Sequence, residues 1–336
     1  MAGLLLLGVT IMTASHQNNI LRDNPNIVAQ KALADFLQQP IAGIACKSVS
    51  GGSEEGAIVQ CTHLGTNYIV KFFSSSEFGN NEIALTQHAS DLGIGPKLYY
   101  TDQAQRYMII EFAKGNSLVP ATANTPTIIK NIATSLTKLH KSHAPFVHPS
   151  YMFTRIDAKY KNLHCSGALK DILEKRLQLV KKIEDQFQNF PVSLVPCHND
   201  LNPGNVFVHN NQVILIDWGD AALGSPYFDI AAFLILNAIS AENEKLFFKH
   251  YDSKLLTPQW QTYMLLNKQL VYFEFALNLL GGAQAGNQKL LHTQVTPLVN
   301  NIDYYLTLFA KREAKIGSAF LYHMALSSLN EMTLNV

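Results

Sequence analysis

Residues Cys197 to Asp217 read CHNDLNPGNVFVHNNQVILID, and the fold turns on how they are read. Asp200 is followed five residues later by Asn205, and Asp217 comes twelve residues further on, behind the apolar run Val213-Ile214-Leu215-Ile216. That run and the strand-like Val206-Phe207-Val208 flank a polar turn, His209-Asn210-Asn211-Gln212. Two β-rich runs around such a turn predict a hairpin. A hairpin brings its ends together, so Asp200, Asn205 and Asp217 are expected around one small space. Two carboxylates and an amide carbonyl are hard oxygen donors that suit a cation such as magnesium, with one acid left to meet a substrate hydroxyl. An Asx-rich loop making only turn hydrogen bonds is the plainer reading of D-x-x-x-x-N. The second acid behind an apolar strand argues against it.

Upstream, residues 44–72 predict three short strands, Ile44–Ser48, Ala57–Thr62 and Tyr68–Phe72. The first turn holds Gly51, Gly52 and Gly56, and the third strand ends near Lys71. Glycines let backbone amides approach phosphates, and a lysine supplies a point charge to their oxygens. Taken singly these signals are weak, because Gly-Gly turns are common and such a lysine is more often a solvated edge residue. A helix over Asn80–Asp91 carries Glu82 in its first turn, either to ion-pair with Lys71 or simply to complement the helix dipole. A strand, Tyr107–Phe112, containing Glu111, exits into Ala113-Lys114-Gly115, where exposed backbone suits an adenine. A helix is expected over 24–39, and the remainder is mostly helical: Thr127–Ser142, Ala168–Phe187, Asp229–Ile239, and roughly 242–252, 258–281, 293–312 and 316–330.

Composition narrows the partners. The 336 residues carry 26 basic and 25 acidic side chains, so no basic excess exists to neutralise a nucleic acid. Gly3–Met12 is apolar but only ten residues long, too short to span a bilayer; it fits the core of a signal peptide, although no Lys or Arg precedes it, and equally a start at Met12 or a short apolar arm. No stable membrane insertion and a cytoplasmic location, with access to ATP, are expected. Cys46, Cys61, Cys165 and Cys197 show neither a C-x-x-C spacing nor a disulfide framework, which predicts reduced thiols.

In chain order these parts resemble the kinase-like phosphotransferases, in particular the aminoglycoside phosphotransferase and choline kinase superfamily. The resemblance runs from about residue 44 to 240 through the glycine turn, YIVKFF, NNEIALTQHASDLGIGPKLYY, EFAKGNSL, CHNDLNPGN and IDWGDAALGSPYFDIA. It implies an α+β, bilobal protein-kinase-like fold, with a small antiparallel sheet lobe over 24–112 after a start segment, 1–23, and a larger, mostly helical lobe over 113–336. By the same resemblance Asp200 is the catalytic base, Asn205 and Asp217 bind Mg2+, and Lys71, paired to Glu82, positions the phosphates of ATP. His198 orients the loop, and Asp229 ties it to the following helix. Protein kinases match less well, because Trp218 stands in place of Phe and Gly224-Ser225-Pro226 replaces a long activation segment. A non-catalytic nucleotide-binding relative is disfavoured by the presence of Lys71, Glu82, Asp200, Asn205 and Asp217 together.

The acceptor is less well defined. CHNDL is similar to choline and ethanolamine kinases, whereas DWGDA is similar to the wider aminoglycoside group, with Gly219 and Asp220 where choline kinases carry Glu and Tyr. On the helix over 258–281, Trp260, Tyr263, Asn267, Leu270 and Glu274 share one face. Aromatic rings and a carboxylate suit an ammonium group, although an aromatic-rich core helix shows the same spacing. Asp220 and Glu242 or Glu244 are other candidates for meeting a cationic small-molecule hydroxyl substrate, the latter two reading more simply as a solvated helix start.

Overall fold

The computed structural model describes residues 24–49, 56–74, 76–143, 152–189, 193–292, 301–311 and 316–332. Gly51 and Gly52 lie outside the described residues, so their expected place against phosphates is not addressed by the fold. The described residues form two compact units, one from within 24–117 with 143 and 204–221, the other from within 118–142, 152–203 and 222–332. The class is mixed α+β, with an antiparallel sheet early in the chain and a mostly helical remainder.

In the first unit, α1 (Pro25–Leu37) starts on an Asn24 cap, whose side chain accepts from the Asn26 amide, with Pro25 in the position where its missing N–H costs nothing. Strands β1 (Ile44–Ser48), β2 (Ile58–His63), β3 (Thr66–Phe72), β4 (Leu98–Thr101) and β5 (Tyr107–Glu111) form one antiparallel sheet in the order β1-β2-β3-β5-β4. Its core packs Ala29 and Leu33 of α1 with Ile44, Val59, Cys61, Val70, Phe72 and Ile109. Helix α2 (Ser76–Asp91) begins four residues earlier than its sequence pattern suggests, and β4 has no counterpart among the expected strands.

Gly56 is dictated by space. A Cβ there would sit 1.7 Å from the Phe72 carbonyl oxygen, so only glycine lets the chain enter β2 this close to the end of β3. The cysteines correct the sequence-based expectation. Cys46 and Cys61 lie directly opposite one another across β1 and β2 and are disulfide-bonded, whereas Cys165 and Cys197 are free. Nothing in a separation of fifteen residues announces this pair, because only the strand register brings the two side chains face to face.

The first unit also contains the hairpin of the opening stretch, whereas Cys197–Pro203 belong to the second. Short β6 (Asn116–Ser117) pairs with β8 (Val206–His209), which pairs with β9 (Gln212–Leu215) in the expected hairpin. Asn210 and Asn211 occupy its turn with φ of 49° and 64°, the two left-handed residues that a tight hairpin turn requires.

In the second unit β7 (Val195–Cys197) pairs with β10 (Ala222–Gly224). Around them lie α3 (Pro120–Ala123), α4 (Pro126–Lys141), α5 (Met152–Lys161), α6 (Gly167–Asn189), α7 (Pro226–Leu236), α8 (Ala241–His250), α9 (Trp260–Asn287), α10 (Ile302–Lys311) and α11 (Ser318–Glu331). Every residue of α7 is buried, which explains why its apolar run shows no polar face. Helix α5, in a stretch to which the sequence pattern assigned no element, is an addition with consequences for the substrate residues. Among the described residues, no helix is long and apolar enough to cross a membrane.

Candidate active site

Residues far apart in sequence meet in the first unit. Lys71, near the end of β3, donates from Nζ to Glu82 Oε1 at 2.5 Å and to Asp217 Oδ1 at 2.8 Å, the second contact linking residues 146 positions apart. Strand β3 and helix α2 position the first pair, and the chain leaving β9 supplies Asp217. Glu82 is buried, and the Lys71 side chain is 17% exposed. Burial alone would lower the lysine pKa, but Asp217 and then Glu82 outweigh it and push it well above the ordinary value. Lys71 therefore holds its charge throughout the physiological range.

Asp217 adopts φ of 64°, the left-handed region that a non-glycine residue rarely occupies and that concentrates at functional sites. The hairpin places Asn205 beside it in the chain path: the Ile216 amide donates to the Asn205 carbonyl at 3.0 Å, continuing the pairing of Val206 with Leu215. Asn205 is buried, whereas the Asp217 side chain is 35% exposed. Behind them the buried Trp218 donates from Nε1 to the Leu215 carbonyl. A carboxylate and an amide oxygen at the mouth of one hairpin form a donor set that fits a hard divalent cation. Glu111 is exposed at the end of β5 and its amide donates to the Lys97 carbonyl; Ala113, half-buried, follows where the backbone has left the sheet.

Asp200 belongs to the second unit, on the loop after β7. Its amide donates to His198 Nδ1 at 3.3 Å, and its carboxylate Oδ1 accepts from Asn202 Nδ2 at 2.9 Å. The loop is tethered from α7. Asp229 Oδ2 accepts from the His198 amide at 2.8 Å and Oδ1 from the Asn199 amide at 2.7 Å, while Asn199 takes φ of 63°. His198, Asn199 and Asp229 are all buried, whereas Asp200 is half-exposed at the end of this clamped turn. Asn237 of the segment ending α7 adds a donor to the Leu201 carbonyl. A carboxylate presented from so rigid a turn can hold a hydroxyl in a fixed direction.

The acceptor residues fall out differently. Glu274 is buried on α9 and bound by two cations of α5, which sequence reading missed: Arg155 Nη2 donates to Oε2 at 2.9 Å and Lys159 Nζ to Oε1 at 2.7 Å. Burial alone would raise the Glu274 pKa, but Arg155 and Lys159 bring it down to about 2. Its charge is already balanced, which corrects the expectation that it would receive an ammonium group. Tyr263 is buried, with its ring stacked on Tyr227 at 5.5 Å between centroids, and Trp260 packs on Phe248 at 4.5 Å. Tyr263 follows the core-packing alternative, whereas Trp260 is half-exposed. Glu244 binds Lys268 at 2.9 Å, and Glu242 sits in the first turn of α8. Asp220 is exposed. The missed cations had one legible signal, Arg155 and Lys159 four residues apart, but that spacing matters only once α5 is known to be a helix.

Comparison with known proteins identifies the family and the fold. The sequence profile of the phosphotransferase enzyme family matches residues 46–266. Over 186 residues the chain is 27% identical to the protein LicA homolog of Mycoplasma capricolum, covering 54% of this chain and 70% of that relative. It is 29% identical over 196 residues to ethanolamine kinase 2 of Rattus norvegicus, covering 55% of this chain and 49% of the relative. Among solved structures, the choline kinase LicA from Streptococcus pneumoniae superposes with a TM-score of 0.63 at 19% identity, over 90% of this chain and 98% of that one. That likeness establishes the shared kinase-like fold. With the family profile matched across more than half of its length, the chain belongs to the phosphotransferase enzyme family.

Proposed function

We propose that the chain transfers the terminal phosphoryl group of ATP to the hydroxyl of a small, cationic amino alcohol of the choline or ethanolamine type. The observation that carries the phosphoryl-transfer reading is Lys71, held between Glu82 and Asp217 by two hydrogen bonds. A lysine kept charged in this way is suited to hold phosphate oxygens while an acid beside it faces a metal. The acceptor class is supported by the likeness to relatives named for ethanolamine kinase and by the CHNDL loop.

In this reading each residue has one task. Lys71, oriented by Glu82, holds the nucleotide phosphates, and Gly56 lets the backbone approach them. The backbone from Glu111 to Ala113 takes the adenine. Asp217 and Asn205 would hold magnesium, which when bound offsets negative charge on the phosphate oxygens. Asp200, fixed by Asn202 and the Asp229 tether, accepts the hydroxyl proton as the oxygen–phosphorus bond forms and ADP leaves. A requirement for ATP accords with a cytoplasmic location.

Asp217→Ala is expected to remove the magnesium-dependent part of nucleotide binding, by at least the 10–100-fold typical of losing even an outer partner of a metal site. Lys71 retains Glu82 in that variant, so binding without metal should change little. Titration calorimetry with and without magnesium reads both, and an unchanged metal dependence would remove Asp217 from this role. The acceptor is tested by measuring ATP consumption with choline, ethanolamine, homoserine, thiamine and several aminoglycosides. Turnover with the first two is expected. Turnover confined to an aminoglycoside would reject the amino-alcohol acceptor while keeping the kinase, and tight ATP binding with no turnover on any acceptor would indicate a binding protein.

A further inference from the structure

Behind the Asp200 loop, Asp229 belongs to a buried polar cluster whose other members have no task in the reaction as described. His140, near the end of α4, is 2% exposed, and its ring reaches in two directions. Nδ1 lies 2.7 Å from the Tyr251 hydroxyl, and Nε2 lies 3.1 Å from Asp229 Oδ2. Tyr251 is 3% exposed, and Asp229 and Cys197 are fully buried. Burial, and then Cys197 and Asp229, raise the Tyr251 pKa, so the phenol keeps its proton. An O–H that must be donated fits Nδ1 as its acceptor. The imidazole hydrogen then sits on Nε2 and is donated to Asp229, so both the phenol and the imidazole have an acceptor.

His140, Cys197 and Asp229 bring one ligand-capable atom each within 4.8 Å of one another, a set compatible with a metal ion. Both Asp229 oxygens, however, already accept backbone amides, from Asn199 on Oδ1 and from His198 on Oδ2, and Oδ2 also takes the imidazole. Burial pushes the Cys197 thiol well above its ordinary pKa, away from the thiolate that a metal needs. Hydrogen bonds account for the cluster. Its output is directional, because Asp229 grips the two amides immediately before Asp200.

We propose that His140 and Tyr251 are positioning residues for phosphoryl transfer, acting through Asp229 to fix the turn that presents Asp200. The relay runs from the phenol to the imidazole, to the carboxylate, to the His198 and Asn199 amides. Its effect falls on the direction of the Asp200 carboxylate and leaves the binding of either substrate alone. The inference rests on Asp200 as proton acceptor, and the variants below are therefore measured beside Asp200→Ala.

In His140→Leu the donor to Asp229 is lost. The kcat is expected to fall about 10–100-fold, as when the partner that orients a metal ligand is lost, with KM for ATP and for the acceptor within about twofold of wild type. His140→Gln keeps an N–H within reach of Asp229 and should restore most of the kcat. Tyr251→Phe keeps the ring and its volume and should lower kcat by a smaller factor, again without moving KM. Thermal melts accompany each variant. Wild-type kcat in folded His140→Leu, a loss expressed in KM, or a Gln variant no better than Leu overturns the relay. Should the Leu variant not fold, Tyr251→Phe decides, and wild-type kcat there refutes it. An inactive Asp200→Ala beside fully active His140 and Tyr251 variants would reject this inference alone. Active Asp200→Ala would instead reject the base assignment.

Discussion

Asp200→Ala is expected to lower phosphoryl transfer by about 10²–10⁴-fold, the usual contribution of a positioned general base, while ATP binding stays within about twofold of wild type. The separation of the two effects follows from where the residues sit. The groups assigned to the nucleotide, Lys71, Glu82, Asp217 and Asn205, all belong to the first unit, whereas the Asp200 amide donates to His198 and its carboxylate accepts from Asn202, both of the second unit. Removing the carboxylate leaves the Asp229 tether on the His198 and Asn199 amides, so the turn itself should persist. Asp200→Asn sharpens the test by keeping an oxygen to orient the hydroxyl while removing the basicity. It should remain nearly as impaired as the alanine variant if proton acceptance is the task. Steady-state kinetics with the acceptor found by screening, alongside calorimetry for ATP, measures both sides. Wild-type-like turnover in either variant would sink the assignment.

The opening stretch was legible because its information is local. An alternating apolar pattern and an Asn-Asn turn define the hairpin, and the hairpin alone places Asn205 one residue from pairing with Asp217. Lys71 and Glu82 were legible as a pair because a strand end and the first turns of the next helix are separated by eleven residues. The long-range features were not legible. Helical spacing correctly gathers Tyr263 and Glu274 on α9, but it is silent about the facing helix, and α5 brings two cations to Glu274 across more than a hundred residues. Cys46 and Cys61 become neighbours only through strand register. His140 lies within KLHKS, a charged-looking segment whose single inward imidazole is visible only once α4 is packed.

Glu274→Gln is expected to destabilise the second unit by about 3–5 kcal/mol, because it removes the partner of two partly buried cations and keeps the volume of the side chain. Arg155 and Lys159 are 19% and 14% exposed, too enclosed for water to replace the lost carboxylate fully. Urea unfolding at neutral pH measures the change; a loss below about 1 kcal/mol would place the trio among surface ion pairs of small worth. The same cluster predicts an acid limb. A carboxylate whose pKa falls from an ordinary 4.5 to about 2 on folding contributes stability that is complete above 4.5 and lost as pH drops towards 2. The full displacement corresponds to about 3 kcal/mol, so the wild type should lose stability across that window with a slope that Glu274→Gln lacks. Equal acid limbs in the two proteins would show that other carboxylates govern acid unfolding. Because Arg155 and Lys159 together outnumber the charge they bind, neutralising Arg155 in the Gln background should recover part of the loss, whereas neutralising it alone should leave Glu274 held by Lys159 and cost less than the Gln change.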